Sequence, residues 1–448
     1  MTAPLQDIAH ALLEAARSFG ATHADAQVVQ GRSNSVDVRG GNLEHAERAE
    51  GVDLSLRVLI GQRQAHVSAS DTRPETLRIL AERAVTMARE APEDPYAGLA
   101  AAKELARDFD ISALQLCDPA PEPSPASLQK DAARAEAAAL DVPGITQVQS
   151  SNAGYQARSI HQAATNGFSA GFTRTDRGLS CVAIAGRGAG MERDHDSDWR
   201  VFQTDLRSPE DIGQSAAARA VARLGARKPP TGAYPVLFDE RVAASLIGHL
   251  LMACNGASIA RGASWLLGKE GTLVLPADLS LIEDPHRPRV AASRPFDAEG
   301  LPTHRREIVA DGVLTGWTLD LGTARRLGLV STGNAKRGGS GAPVPGNWNI
   351  ALSQGERSRE DLLALMGTGL LVTSLIGSTI NPNTGDYSRG ASGFWVDQGE
   401  IGYPVNECTI AGHLPDMLRR IIPANDARAH LSRVVPSLLV EGMTLAGE

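Results

Sequence analysis

Apolar residues recur at helical spacing over residues 5–19, where Leu5, Ile8, Leu12, Ala16 and Phe19 fall on one face. The stretches "ADAQVVQG", "NSVDVRGGNLEHAERAE" and "GVDLSLRVLIGQRQAHVSAS" then alternate polar and apolar positions between glycine-rich breaks. That pattern predicts three antiparallel strand pieces joined by hairpins, with a second helix over residues 74–90 to close the block. The order then recurs, with an Ala-rich helix at 126–140, several strands in "GITQVQSSNAGYQARSIHQAATNGFSAGFTRTDRGLSCVAIAG", and a capped helix in "SPEDIGQSAAARAVARLGA". Helix, strands, helix, twice over, indicates a weak internal duplication or one extended sheet with helices on one face.

The texture changes at "RKPPTGAYP", residues 227–235, where three prolines and a glycine separate a helix from a new strand. After the short strand "YPVLFD", Asp239 can cap a helix and Asn255-Gly256 can end one. Between them "SLIGHLLMACNG", residues 245–256, is apolar almost throughout, so this helix should be buried on most of its surface with His249 in its middle. Short strands broken by Gly, Pro and Asn follow, and helix signals return only at 358–367 and in "HLPDMLRRI". The expected fold is α+β in two domains. Residues 1–226 form an antiparallel sheet with helices, and residues 227–448 a mostly antiparallel β sandwich or barrel-like unit with one buried helix.

Composition narrows the function classes. With 42% hydrophobic and 21% charged residues the chain is of ordinary globular type, and its net charge of -8 argues against broad attraction to nucleic acid or to anionic membrane surfaces. The short basic pairs Arg305-Arg306 and Arg325-Arg326 read as solvated faces. No stretch approaches the roughly 18 to 20 uninterrupted apolar residues of a membrane span. Asp7 and Glu14 stand where a signal peptide would be apolar, so a cytoplasmic location is expected. Cys117, Cys181, Cys254 and Cys408 are far apart, which suits reduced, buried thiols better than disulfides or a zinc knuckle.

The residues by themselves offer little catalytic machinery. Two metal ligands on adjacent turns of a helix require histidines about three to five apart, and none of the 11 histidines lies that close to another. "RDHDSDW" surrounds His195 with aspartates, which could recruit a divalent ion but reads better as a solvated loop. There is no GxSxG elbow, and "KRGGSGAPVPG" lacks the phosphate-loop pattern and reads as a flexible loop. "TGDYSRGASGFW", residues 384–395, packs Asp386, Tyr387, Ser388 and Arg389 into a Gly-bounded turn ahead of an aromatic strand. There Arg389 could bind a peptide or a carboxylate, or simply pair locally while Asp386 caps the turn. His249 could be a metal ligand, a general base or a hydrogen-bonded core group.

The long motifs "RPFDAEGLPTHRREIVADGVLTGWTLDLGTARRLGLVSTGNAKR", "MGTGLLVTSLIGSTINPNTGDYSRGASGFWVDQGEIGYPVNECTIAGHL" and "EGMTLAGE" resemble the TldD/TldE family, most of all its TldE (PmbA) branch. The resemblance runs over essentially the whole chain and is weaker in the first 225 residues. It implies a heterodimeric cytoplasmic zinc metallopeptidase that cleaves peptides, in some bacteria maturing peptide antibiotics by removing their leaders. In the TldD branch HExxxH on the helix opening the second domain, with a cysteine near the C-terminus, holds the zinc. The corresponding segment here is "GHLLMA". Gly248 stands at the first metal histidine, His249 at the general-base glutamate and Ala253 at the second histidine, with Val435 of "RVVPSLL" at the cysteine.

On that resemblance this chain carries no catalytic or metal-ligating residue and no cofactor of its own, and zinc belongs to a TldD-like partner. The implied role is to close the partner's site into a chamber and help hold an extended peptide, with His249, Tyr387 and Arg389 as candidate substrate-channel residues. Alternatives are a homodimeric peptide-binding protein without peptidase activity, or an autonomous hydrolase using "TGDYSRG". The isolated chain could itself be a homodimer. The family's older description as a modulator of DNA gyrase implies no DNA contact in so acidic a chain.

Overall fold

The first apolar stripe becomes α1 (Leu5–Ser18), which buries Ile8, Ala9, Leu12, Leu13 and Ala16. Three strands follow, β1 (His23–Arg39), β2 (Asn42–Ile60) and β3 (Arg63–Ala69), and then α2 (Pro74–Glu90) with proline in its first turn. A computed structural model supplies these coordinates and describes residues 4–338 and 341–447. The hairpin between β1 and β2 turns on Gly40-Gly41, both at positive φ, and their N–H groups donate to the buried carboxylate of Glu136 at 2.6 and 2.8 Å. The expected breaks within this ribbon are absent. Gly31 and Gly51 pair with each other across the ladder, so two long strands replace the shorter pieces.

The order repeats as α3 (Pro125–Leu140), β4 (Ile145–Ala164), β5 (Ser169–Ala185), β6 (Glu192–Arg200) and α4 (Pro209–Ala222). All six strands form one antiparallel sheet in the order β3-β2-β1-β4-β5-β6, so the halves meet at the β1–β4 pair. One helix pair packs on each half, around Leu12, Leu56 and Leu80 in the first and Leu128, Leu179 and Ile212 in the second.

The aspartates around His195 are not in a solvated loop. They lie on edge strand β6, where period-two alternation puts Asp194, Asp196 and Asp198 beside Ala183, Cys181 and Leu179 on the helix-covered face and leaves His195 outside. Each is neutralised by arginine: Asp194 by Arg241 at 3.0 Å, Asp196 by Arg207 and Arg219 at 2.7 and 2.9 Å, and Asp198 by Arg200 at 2.8 Å.

The second half opens with β7 (Gly232–Phe238), α5 (Glu240–Ala253) and the short α6 (Gly256–Ala260). Small elements follow: β8 (Leu281–Glu283), β9 (Arg306–Ala310), β10 (Val313–Leu314), α7 (Leu321–Leu327), β11 (Ala335–Lys336), β12 (Val344–Pro345), β13 (Ile350–Leu352) and α8 (Arg359–Met366). The long strands β14 (Gly369–Ile380), β15 (Asp386–Asp397) and β16 (Glu400–His413) lead to α9 (Leu414–Leu418), β17 (Ile422–Pro423), β18 (Arg433–Val434) and β19 (Leu438–Ala446). Strands β16-β15-β14-β7-β19 close into a barrel through the β16–β19 pairing, and β10-β9-β8-β13-β18 form a second sheet. The fold is thus α+β with an antiparallel N-terminal sheet and a β-barrel second half.

Besides the Asp194–Arg241 pair, buried contacts tie the halves together. Asp25 of β1 takes Arg57 of β2 at 2.6 Å and also Arg337, which follows β11, in a buried triad. Phe296 inserts among Phe109, Phe168 and Phe172, with ring centroids 5.3, 5.1 and 5.7 Å away. Of the basic pairs read as solvated, Arg306 is instead bound to buried Glu283 at 2.7 Å. The expected flexible glycine loop is partly structured, since Lys336 packs over Trp348 and Arg337 is buried, while Gly339 and Ser340 lie outside the described residues. All four cysteines are unpaired, and Cys117 is exposed rather than buried. Among the described residues no helix is long and apolar enough to cross a membrane.

Candidate functional site

Helix α5 starts where Asp239 accepts a hydrogen bond from Arg241 N at 3.2 Å. It buries Ala243, Leu246, Ile247, Leu250, Leu251 and Ala253, while Met252 is 60% exposed, so one flank of the helix reaches solvent. The helix ends at Ala253 with Cys254 as its C-cap, next to the expected stop, and the Asn255 side chain then accepts from Ala257 N at 3.0 Å and caps α6.

His249 sits on the half-buried side of α5 with its ring edge-on to Tyr387, centroids 5.8 Å apart and planes at 73°. It differs from a satisfied core histidine, because both ring nitrogens are buried and neither has a hydrogen-bond partner. Burial, reinforced by the positive charge of Arg389, holds its pKa below the usual histidine value, so the ring is neutral.

Tyr387 and Arg389 are not in a turn. Both lie on β15, two residues apart and therefore on one face, while the turn itself is residues 381–385. Asp386 is held locally by the Thr384 hydroxyl at 2.5 Å. Tyr387 is 2% exposed and its hydroxyl is unpartnered, and burial pushes its pKa up to about 12 against the opposing charge of Arg389. Arg389 donates from Nε to the Gly377 carbonyl at 2.7 Å. The structure therefore brings His249, Tyr387 and Arg389 together, with the arginine as the member that reaches open space.

Of the positions that the resemblance matches to zinc ligands, Gly248 has a neighbour two residues before Val435. Gly248 of α5 faces the segment 433–435, and a Cβ built on Gly248 would lie 3.3 Å from Arg433 Nη1. Ala253 and Val435 are buried in one apolar cluster. These residues do not fit zinc, because none has a donor side chain and a guanidinium occupies the approach. Among the described residues no three His, Cys, Asp or Glu side chains stand together as a metal-holding group. The sequence reading missed Arg433, although it stands two residues before Val435.

A cavity of about 950 Å³ opens beside this site, between β5 and β6 of the first half and α5, β14 and β15 of the second. Its walls carry Ser245, one turn before His249, together with Arg389, Thr373, Arg193, Arg223 and Arg241. β7 pairs with β14 only as far as Val372, and the next residues of β14, from Thr373 to Ile376, line the cavity.

Three family profiles match the chain: PmbA/TldA metallopeptidase domain 1 at residues 24–88, the central domain at 118–224 and the C-terminal domain at 231–447. The chain is 41% identical over 418 residues to the metalloprotease PmbA of Escherichia coli O157:H7, covering 92% of this chain and 90% of that protein. Its fold is similar to the crystal structure of a putative modulator of DNA gyrase from Bacteroides thetaiotaomicron, with a TM-score of 0.92 and 25% identity over the whole of both chains. It is also similar to that of TldE from Thermococcus kodakarensis, with a TM-score of 0.85 and 21% identity over 98% of this chain and all of the other.

Proposed function

Because the chain belongs to the PmbA/TldA metallopeptidase family, we propose that it is the non-catalytic subunit of a cytoplasmic zinc metallopeptidase. The metal and the general base then come from a TldD-like partner. One observation supports the reading: at Gly248, which the resemblance matches to a zinc ligand as it does Ala253 and Val435, the Arg433 guanidinium lies where a side chain would begin. A fixed cation there opposes a divalent ion and offers no electron pair.

In the assembled pair this chain closes the partner's site into a chamber and helps hold an unfolded or leader peptide. The cavity beside α5 supports that role. Its wall includes the stretch of β14 beyond β7, where an extended peptide could add as a strand through main-chain hydrogen bonds with little regard to sequence.

The test is a peptide-cleavage assay on this chain, on a homologous chain that keeps HExxxH, and on their mixture at matched concentrations, with zinc measured in each after a chelator wash. Activity and zinc are expected from the HExxxH chain, with more activity in the mixture and neither from this chain alone. Zinc-dependent cleavage by this chain alone overturns the non-catalytic assignment, and no gain on mixing overturns the pairing.

A further inference from the structure

The charges around the cavity between the two halves do not balance. Four guanidinium groups line it, from Arg193, Arg223, Arg241 and Arg389, against the carboxylates of Glu192 and Asp194. Those two carboxylates are already committed. Asp194 holds Arg241 at 3.0 Å and Arg223 at 3.6 Å, and Glu192 takes Arg223 at 3.5 Å. Arg193 donates to the neutral Gln149 amide at 3.2 Å, and Arg389 to the Gly377 carbonyl. Among the described residues neither has an acidic partner.

One arginine comes from the first half and the other from the barrel, so the uncompensated charge flanks the groove from both sides. A second observation points into the same space. Thr373, 8% exposed on the wall, has a buried hydroxyl with no hydrogen-bond partner. Exposed Met191 and Ile376 supply apolar wall beside these groups.

We infer that this cavity is a carboxylate-binding subsite for peptides, with Arg193 and Arg389 as its cationic clamp and Thr373 as a hydroxyl donor. The planar fork of a guanidinium group matches a carboxylate's two oxygens, and a groove with apolar wall accommodates the rest of an extended chain. The inference rests on the peptide-holding role proposed above and adds the chemistry that the chain selects. The carboxylate has two sources, the C-terminus of a peptide and an acidic side chain within it.

The experiment measures binding to the full chain by fluorescence anisotropy, so it does not depend on turnover. Four labelled peptides of one length are compared: a neutral sequence with a free C-terminus, its C-terminal amide, and amidated versions carrying a central Glu or Gln. The free acid or the Glu peptide should bind about tenfold more tightly than its neutral counterpart, and whichever does identifies the source. That preference should shrink with added salt and fall below about twofold in Arg389→Gln. Arg193→Gln, at an exposed site where folding is not at stake, should weaken it in the same direction. Equal binding of acid and neutral peptides, or a preference untouched in both variants, overturns the subsite. If the preference is lost while mixing still yields peptidase activity, the subsite falls and the proposed function stands. If it is present while mixing yields none, the reverse holds.

Discussion

His249 and Tyr387 meet edge to face, 5.8 Å between ring centroids, and among the described residues neither the imidazole nitrogens nor the phenol hydroxyl meet a hydrogen-bond partner at bonding geometry. Three buried polar atoms are therefore left unpaired where α5 meets β15. Such groups cost stability and persist where something other than stability retains them.

His249→Leu should accordingly leave the protein as stable at pH 7.5 or raise its stability by about 1 kcal/mol, because it removes two unsatisfied nitrogens. It should also change the acid limb. A histidine whose folded pKa is depressed contributes stability above its unfolded value near 6.5, lost as pH falls toward the folded value. His66, half-buried and held down to about 4, acts in the same sense. Urea midpoints of wild type and variant at pH 7.5 and 5 are the check. The variant should lose less on acidification, and a large loss of stability at pH 7.5 would show that His249 is satisfied after all.

Asp25 presents a different case, because its carboxylate is paired with an arginine at each oxygen. Burial alone would raise its pKa, but the charges of Arg337 and Arg57 outweigh burial and hold it low. Asp25→Ala strands two buried guanidinium groups and should cost about 3 to 5 kcal/mol. Since Arg337 belongs to the second half and Arg57 to the first, the variant should also loosen the junction, seen as faster hydrogen exchange in β1 and β11 than in the barrel strands. An unchanged urea midpoint would mean the triad adds nothing to stability.

Much of this architecture is legible in the residues, and what is not has identifiable causes. The helices at α1, α2, α3, α4 and α8 follow from apolar spacing and caps, such as the Ser358–Asp361 capping box. The Asp194–Asp196–Asp198 alternation reads as polar loop only while its arginine partners, as far away as Arg241, are unknown. α6 and α7 escape because five and seven residues are too few for a periodic signal. Arg389 and Tyr387 were legible as a pair, but their strand setting depends on the β14 and β16 ladders on either side. Arg433 and Arg193 carry no local signal, since an arginine becomes a site residue only through what folding places opposite it.

A buried acid pair sets the alkaline limb. Burial, then the neighbouring charge of Asp297, pushes Glu299 up to about 8, and burial raises Asp297 to about 6. A carboxyl whose folded pKa is raised contributes stability that is complete below its unfolded value near 4.5 and is lost as pH rises through the folded value. Stability should therefore decline from about pH 5 to 8 on this account. Glu299→Gln keeps an acceptor for Leu321 N, at 2.8 Å from the native carboxylate, without the titrating charge. Its stability should be higher than wild type at pH 8.5 and fall less steeply with pH. Parallel pH–stability curves for the two proteins would remove Glu299 as the cause.

The last prediction concerns rebuilding the metal site. Gly248→His, His249→Glu, Ala253→His and Val435→Cys together introduce the groups that the resemblance to the TldD branch assigns to these positions, yet the surroundings oppose them. A side chain at position 248 begins 3.3 Å from Arg433 Nη1, so the new imidazole displaces a guanidinium that stays nearby as a competing cation. Ala253 and Val435 are buried members of the apolar core that also holds Leu250, Leu251 and Leu438, and a ligand needs a hydrogen-bond partner to orient it. Polar groups buried there without partners cost about 1 to 3 kcal/mol each, and first-shell ligands need positioning to within about half an ångström. The fourfold variant should be less stable than wild type, retain well under one equivalent of zinc after a chelator wash, and cleave no peptide alone. Adding Arg433→Ala should raise its zinc retention, because that change removes the opposing charge. Elemental analysis and the peptide-cleavage assay decide the matter. Stoichiometric zinc with robust turnover in the fourfold variant would mean that this chain still carries the support of a working site and that only the ligands had been lost.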